Sequence, residues 1–142
     1  MITRTATARY EGLGKSGKGS VSTGSGVLSN EHYGFGTRFE GEAGTNPEEL
    51  IAAAHAACFT MALSFGLAKE GFTDGTLETV AKVKLDQEGD GFKISRSDLS
   101  LTASVPGIAE ERFRTIAEGA KANCPISKLL NAEIGFDYSL SG

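Results

Sequence analysis

Thr45-Asn46-Pro47-Glu48-Glu49-Leu50-Ile51-Ala52-Ala53-Ala54-His55-Ala56-Ala57-Cys58-Phe59 is the passage that sets the architecture. A polar cap, a proline near the first helical position and two acids in the first turn together spell a helix start. From Leu50 through Ala68 there are 19 residues without a charge, and Gly71 supplies the stop, so the spacing predicts one long helix ending at about Glu70. By count alone that is the length of a membrane span. Seven of these residues are alanine, His55, Thr60 and Ser64 interrupt them, and nothing else in the chain looks membrane-bound, so the segment reads as a core helix. At ~1.5 Å per residue it would be about 36 Å long, comparable with a compact domain of this size. Being apolar on nearly all faces, it must be surrounded on nearly all faces. A lone 142-residue chain has trouble doing that, which points to an intimate homodimer packed around this helix.

Outward from the helix the grammar is that of strands. Residues 1–45 are rich in Gly, Ser and Thr with short apolar alternations (Ile2-Arg4-Ala6 against Thr3-Thr5-Thr7, then Val21-Ser22-Thr23 leading to Val27-Leu28), which predicts two or three strands with glycine turns. Gly12-Leu13-Gly14-Lys15-Ser16-Gly17 matches a dinucleotide pattern, and Gly12 to Gly19 nearly matches a phosphate loop. Both need a helix N-terminus aimed at phosphate, whereas Ser20-Val21-Ser22-Thr23-Gly24 continues as strand and turn, so a hairpin loop is the reading. After Gly71, Thr79-Ala81-Val83-Leu85 alternate with Glu78, Lys82, Lys84 and Asp86 as a half-exposed strand, and Gly89-Asp90-Gly91 makes a turn. The return strand places Phe92 and Ile94 inward at even numbers, then Leu99, Leu101, Ala103 and Val105 at odd ones. That parity switch predicts a bulge or bend near Arg96-Ser97. Ile108, Phe113, Ile116, Ala117 and Ala120 give a helix to about Ala122, a short helix Ile126–Leu130 follows, and Ile134-Phe136-Tyr138 closes as a strand. The expectation is one α+β domain over residues 1–142, with mostly antiparallel sheets.

Composition narrows the functions. A hydrophobic share of 39% and a charged share of 23% are ordinary for a soluble domain, although 19 glycines are many. With 14 Lys+Arg against 18 Asp+Glu the net charge is −4, so the main driving term of nucleic-acid binding is missing, and neither nucleic acid nor a membrane is an expected partner. Met1 to Thr7 has no basic n-region and no apolar h-region, which makes a cytoplasmic location the expectation. There, Cys58 and Cys124 read as free, reactive or redox-cycling thiols rather than a staple. Two Cys and two His without paired spacing do not suggest a zinc site, and no metal or cofactor is expected.

The two thiols differ on local grounds. Cys58 lies about three turns inside an apolar helix, too far from its N-terminus to feel the dipole, and burial raises a thiol pKa. Cys124 sits before Pro125 at a helix start, where backbone N–H groups favour thiolate, so by itself it would be the better nucleophile. The residues around both carry a resemblance. Gly36-Thr37-Arg38-Phe39-Glu40-Gly41, the Thr45 to Phe59 block, and Ala122-Asn123-Cys124-Pro125-Ile126-Ser127-Lys128-Leu129-Leu130 are similar to the signature blocks of the OsmC/Ohr family, most of all its osmotically inducible OsmC branch. Val105-Pro106-Gly107-Ile108 and Ala132-Glu133-Ile134 extend the similarity over nearly the whole length. The resemblance implies an OsmC-like α+β fold with a long central apolar helix, in an intertwined homodimer with sites at the subunit interface. It implies a thiol peroxidase that reduces organic hydroperoxides and is recycled by a dithiol. Carried over residue by residue, it makes Cys58 the peroxidatic and Cys124 the resolving cysteine. Arg38 becomes the arginine that contacts the reactive thiolate, and Glu48 the carboxylate that pairs with Arg38. That chemistry is coherent: an arginine cannot give up its charge, and a carboxylate can fix its orientation as a bidentate pair.

Two other functions compete. His55, three residues before Cys58, could make a Cys–His thiol hydrolase or transferase. The family match does not mark it, and it reads as a satisfied core histidine. A non-catalytic module binding an apolar ligand is the other alternative. An apolar pocket is expected near Phe39, Phe59 and Met61, favouring a bulky organic hydroperoxide. Lipoyl, thioredoxin and small-thiol reductants all remain open.

Overall fold

The long helix, α2, runs from Pro47 to Lys69. Asn46 caps it: its side-chain oxygen accepts the Glu49 N–H at 2.8 Å and its carbonyl accepts from Leu50. The far end closes in a Schellman arrangement, with Gly71 N–H donating to Ala68 O and Phe72 N–H to Leu67 O. Gly71 has φ of +93°, the left-handed conformation that this ending requires.

The computed structural model describes Met1–Gly142, which divides into two compact units, Met1–Leu50 and Ile51–Gly142. In the first unit β1 (Ala6–Glu11), β2 (Lys18–Thr23) and β3 (Glu31–Tyr33) form an antiparallel sheet in that order. The Gly12-to-Gly17 decoy is the β1–β2 hairpin loop, as its flanking sequence indicates. Regular structure begins at Ala6 rather than Ile2, because residues 1–5 pair with no ladder. Val27 is exposed in the turn region instead of continuing a strand. One element is unexpected: Phe35–Phe39 forms a one-turn helix, α1, with the Thr37 hydroxyl bonded to both the N–H and the C=O of Gly34. Five residues are too few for a helical period to show in sequence.

In the second unit β4 (Thr76–Glu88) and β5 (Gly91–Ser104) form the long antiparallel hairpin, and β6 (Glu133–Ser141) adds to β5 in parallel. The connection between β5 and β6 contains α3 (Glu110–Asn123) and α4 (Pro125–Leu129), the crossover a parallel pair needs. Three of the four ladders are antiparallel and the fold is α+β. Leu85 pairs with Ile94 but Lys84 pairs with Arg96, so Ser95 is an extra residue in β5. From there on Ser97, Leu99, Leu101 and Ala103 face inward, as the parity switch requires. Phe92, expected inward, is 53% exposed, because it lies at the hairpin tip beyond the reach of the core. A Cβ at Gly135 would run into the Asp98 carboxylate, so glycine lets Asp98 and Arg96 lie across β6.

Phe59, Leu63 and Leu67 form the buried stripe of α2, joined in the core by Leu99, Leu101, Ala103 and Val105 and by Phe113, Ala117 and Ala120 of α3. Full burial of each large apolar side chain contributes about 2 kcal/mol. The helix is therefore a core helix on one stripe only. Met61 and Phe65 on another face are 60% and 70% exposed, so the cover expected on nearly all sides is absent in a single chain. Leu63→Ala is expected to lower unfolding free energy by about 2–5 kcal/mol, measured as a shift in urea midpoint at constant m-value.

Candidate active site

In the second unit α2 delivers Cys58 and the α3–α4 junction delivers Cys124. Cys124 is at once the last-turn cap of α3 and the N-cap of α4, with Pro125 next. Its sulfur accepts the Ser127 N–H at 3.3 Å and its S–H donates to the Ser127 hydroxyl at 3.4 Å. Both cysteines are free, Cys124 buried and Cys58 half-buried. The two thiols bear on one another's ionisation, and the Ile126 N–H bears on both. Burial pushes the Cys58 thiol up, the Ile126 N–H draws it down, and the neighbouring Cys124 sulfur adds to the rise. Burial opposes ionisation of Cys124 too. The Ser127 hydroxyl and N–H, with Cys58 and Ile126, outweigh it and hold that thiol below the ordinary cysteine value. The difference read from sequence is thus present: unaided, Cys124 is the stronger acid.

In the first unit Arg38, in the last turn of α1, meets Glu48, in the first turn of α2. The pair is bidentate, with Nε to Oε1 at 2.8 Å and Nη2 to Oε2 at 3.0 Å, and the Glu48 side chain is 11% exposed. Asn46 donates to Thr37 O, tying α1 to the helix start. Beside Arg38 lies a cavity of about 310 Å³ lined by Tyr10, Tyr33, Phe35, Phe39 and Pro47 among others. The apolar pocket proposed around Phe39, Phe59 and Met61 is corrected by this arrangement. Phe59 is fully buried against Phe136, while Met61, two positions on, points out of a different side of the helix. Of the three, only Phe39 lines an aromatic cavity.

His55 is fully buried with both ring nitrogens taken: Nδ1 lies 2.6 Å from Ser97 Oγ and Nε2 2.7 Å from Ser127 Oγ. It is a satisfied core histidine, and neither nitrogen is left to activate Cys58. The Cys–His hydrolase arrangement is accordingly absent. Ser97 and Ser127 escaped the sequence reading. The signals were there, since Ser97 is the first inward position after the β5 parity switch and Ser127 occupies the third position after the Cys124 cap, where the N–H bonds the capping side chain.

Long hairpin, parallel third strand and paired thiols define a class of redox domain. Residues 39–139 match the family described as OsmC-like protein, and the chain belongs to that family. It is 54% identical over 139 residues to peroxiredoxin OsmC of Escherichia coli strain K12, covering 98% of this chain and 97% of that one. It is 29% identical over 123 residues to the organic hydroperoxide resistance protein OhrB of Bacillus subtilis strain 168, covering 86% and 88%. The crystal structure of Bacillus subtilis OhrB superposes with a TM-score of 0.70 at 28% identity, covering 99% of this chain and 98% of that one.

Burial holds the His55 pKa below its usual 6.5, so the fold keeps the imidazole neutral. The unfolded chain binds that proton first, so the His55 contribution is whole above about pH 6.5 and is lost as pH falls toward the lowered folded value. Urea midpoints compared between pH 7.5 and 5 are expected to fall more steeply for wild type than for His55→Gln.

Proposed function

We propose that the protein is a cysteine-dependent peroxidase that reduces organic hydroperoxides to alcohols, with Cys58 attacking and Cys124 resolving. The observation that carries this is that two free thiols, delivered by separate helices, belong to one core cluster and bear on one another's ionisation. The names and similarity of the relatives support the same chemistry. The Cys58 thiolate attacks the peroxide: an S–O bond forms, the O–O bond breaks, and the alkoxide leaves as an alcohol after taking a proton. Cys124 then attacks the Cys58 sulfenic acid, forming the disulfide and releasing water. An external dithiol reduces the disulfide and is itself oxidised. The low value of Cys124 suits that last step, because a more acidic thiol leaves faster.

Cys58 needs help that its own helix does not give. By the family resemblance Arg38, oriented by Glu48, is the residue proposed to supply it, since a permanent cation offsets the cost of burying a thiolate. The aromatic cavity beside Arg38 suits the organic part of the substrate. With tert-butyl hydroperoxide and a dithiol, Cys58→Ser is expected to abolish turnover, and retained turnover would remove the assignment. Cys124→Ser should leave a sulfenic acid that dimedone traps. Arg38→Ala should raise the pH midpoint of Cys58 alkylation.

The two units are proposed to act as one OsmC-like domain, in the cytoplasm and as a homodimer. The family match spans the boundary between them, and the α2 face bearing Ala57, Met61 and Phe65 is apolar and open in one chain. Native mass spectrometry at micromolar concentration is expected to give twice 14.8 kDa, and Phe65→Asp should shift the mass toward the monomer.

A further inference from the structure

One fully buried titratable group has no part in the steps above. His55, on α2, lies between Ser97 of β5 and Ser127 of α4, and Ser127 in turn bonds Cys124. Four side chains thus form a continuous line, Ser97–His55–Ser127–Cys124, with contacts of 2.6, 2.7 and 3.4 Å. The arrangement is directional. With the Nδ1 proton donated to Ser97, Nε2 is an acceptor and takes the Ser127 hydroxyl proton, which turns the serine oxygen's lone pairs toward the Cys124 S–H. In the other tautomer the imidazole donates to Ser127 and the serine hydroxyl donates to a Cys124 thiolate. The line therefore accommodates Cys124 in both protonation states.

We propose that His55, acting through Ser127, is the positioning and proton-holding residue for the resolving cysteine. This deepens, and rests on, the peroxidase reading. When Cys124 attacks the Cys58 sulfenic acid, its thiol proton passes to Ser127 Oγ and the serine's proton to His55 Nε2. The S–S bond forms, the S–O bond breaks, and the hydroxide leaving Cys58 departs as water once the proton is returned. The sum is sulfenic acid plus thiol giving disulfide plus water, with no charge left in the core. Burial suits the imidazole to a transient role, because it disfavours a lasting imidazolium. Cys58 is the titratable group that bears on Cys124, and burial is what perturbs His55; of the charged side chains beside the line, Arg96 and Asp98, flanking Ser97 on β5, pair with one another, and Lys128 follows Ser127 in α4.

Single-turnover closure, with sulfenic acid and disulfide quantified by acid quench and mass spectrometry, tests the relay across pH 5.5–9. Wild type is expected to close at a rate nearly independent of pH. Ser127→Ala and His55→Gln should close roughly tenfold or more slowly at neutral pH, with a rate that climbs through the ordinary thiol range as free thiolate appears. Ser127→Thr, which keeps the hydroxyl, should restore the flat profile. Should Ser127→Ala fold poorly, wild type and Ser127→Thr alone decide: slower closure in D2O supports the relay, and identical rates in H2O and D2O overturn it. Wild-type rate and profile in both Ser127→Ala and His55→Gln also overturn it while leaving the peroxidase reading intact. Absence of any sulfenic acid or disulfide in peroxide-treated wild type overturns both.

Discussion

A thiolate needs a polar partner, and a long uncharged helix offers none; the rest of the structure is arranged around that conflict. Cys58 sits on α2 where burial favours the neutral thiol. Every polar group that bears on it comes from elsewhere in the chain. Ile126 N–H comes from the start of α4, and Cys124 from the junction that creates that start. Without the break at Asn123-Cys124-Pro125 there would be no free backbone N–H groups to serve either sulfur.

The same conflict separates what is rigid from what is reactive. The stripe of Phe59, Leu63 and Leu67 fastens one side of α2 to the β5 core, so the backbone that carries Cys58 is held by packing. Polar groups inside that core are paired, and no buried side-chain nitrogen or oxygen lacks a partner. The Arg38–Glu48 fork is anchored by a different device, the one-turn α1 and the Asn46 cap, in which side-chain hydrogen bonds act beside the Phe35–Phe39 ring contact.

Much of this was legible in the sequence, and the reasons are specific. The Asn46-Pro47 start, the Gly71 stop and the odd-numbered inward run from Leu99 are strong local signals, each tied to backbone geometry, and they placed α2 and the β5 core. The inequality of Cys58 and Cys124 was legible as well, because it follows from position within a helix. Less visible were features that depend on tertiary meeting: α1, too short for a period, the parallel seating of β6, and the serines around His55. The pocket expected near Phe39, Phe59 and Met61 divides, with only Phe39 lining the aromatic cavity, because positions two apart on a helix face different sides. Roles for Arg38 and Glu48 came from family resemblance, since a surface ion pair and a functional fork look the same in one sequence.

Ser95 has a consequence larger than its size. By adding one residue to β5 that has no register partner on β4, although its hydroxyl donates to Asp86 there, it resets the pleat, so that Ser97 rather than Asp98 turns toward His55. It acts as a phase boundary within the hairpin. On the tip side, residues 85–94 can change length or pairing while the inward set beyond the bulge keeps its phase; on the other side, a single deletion would replace a hydroxyl with a carboxylate beside the imidazole. The hydrogen-bonded line that ends at Cys124 is in this way tied to the counting of residues along a strand that contains neither cysteine.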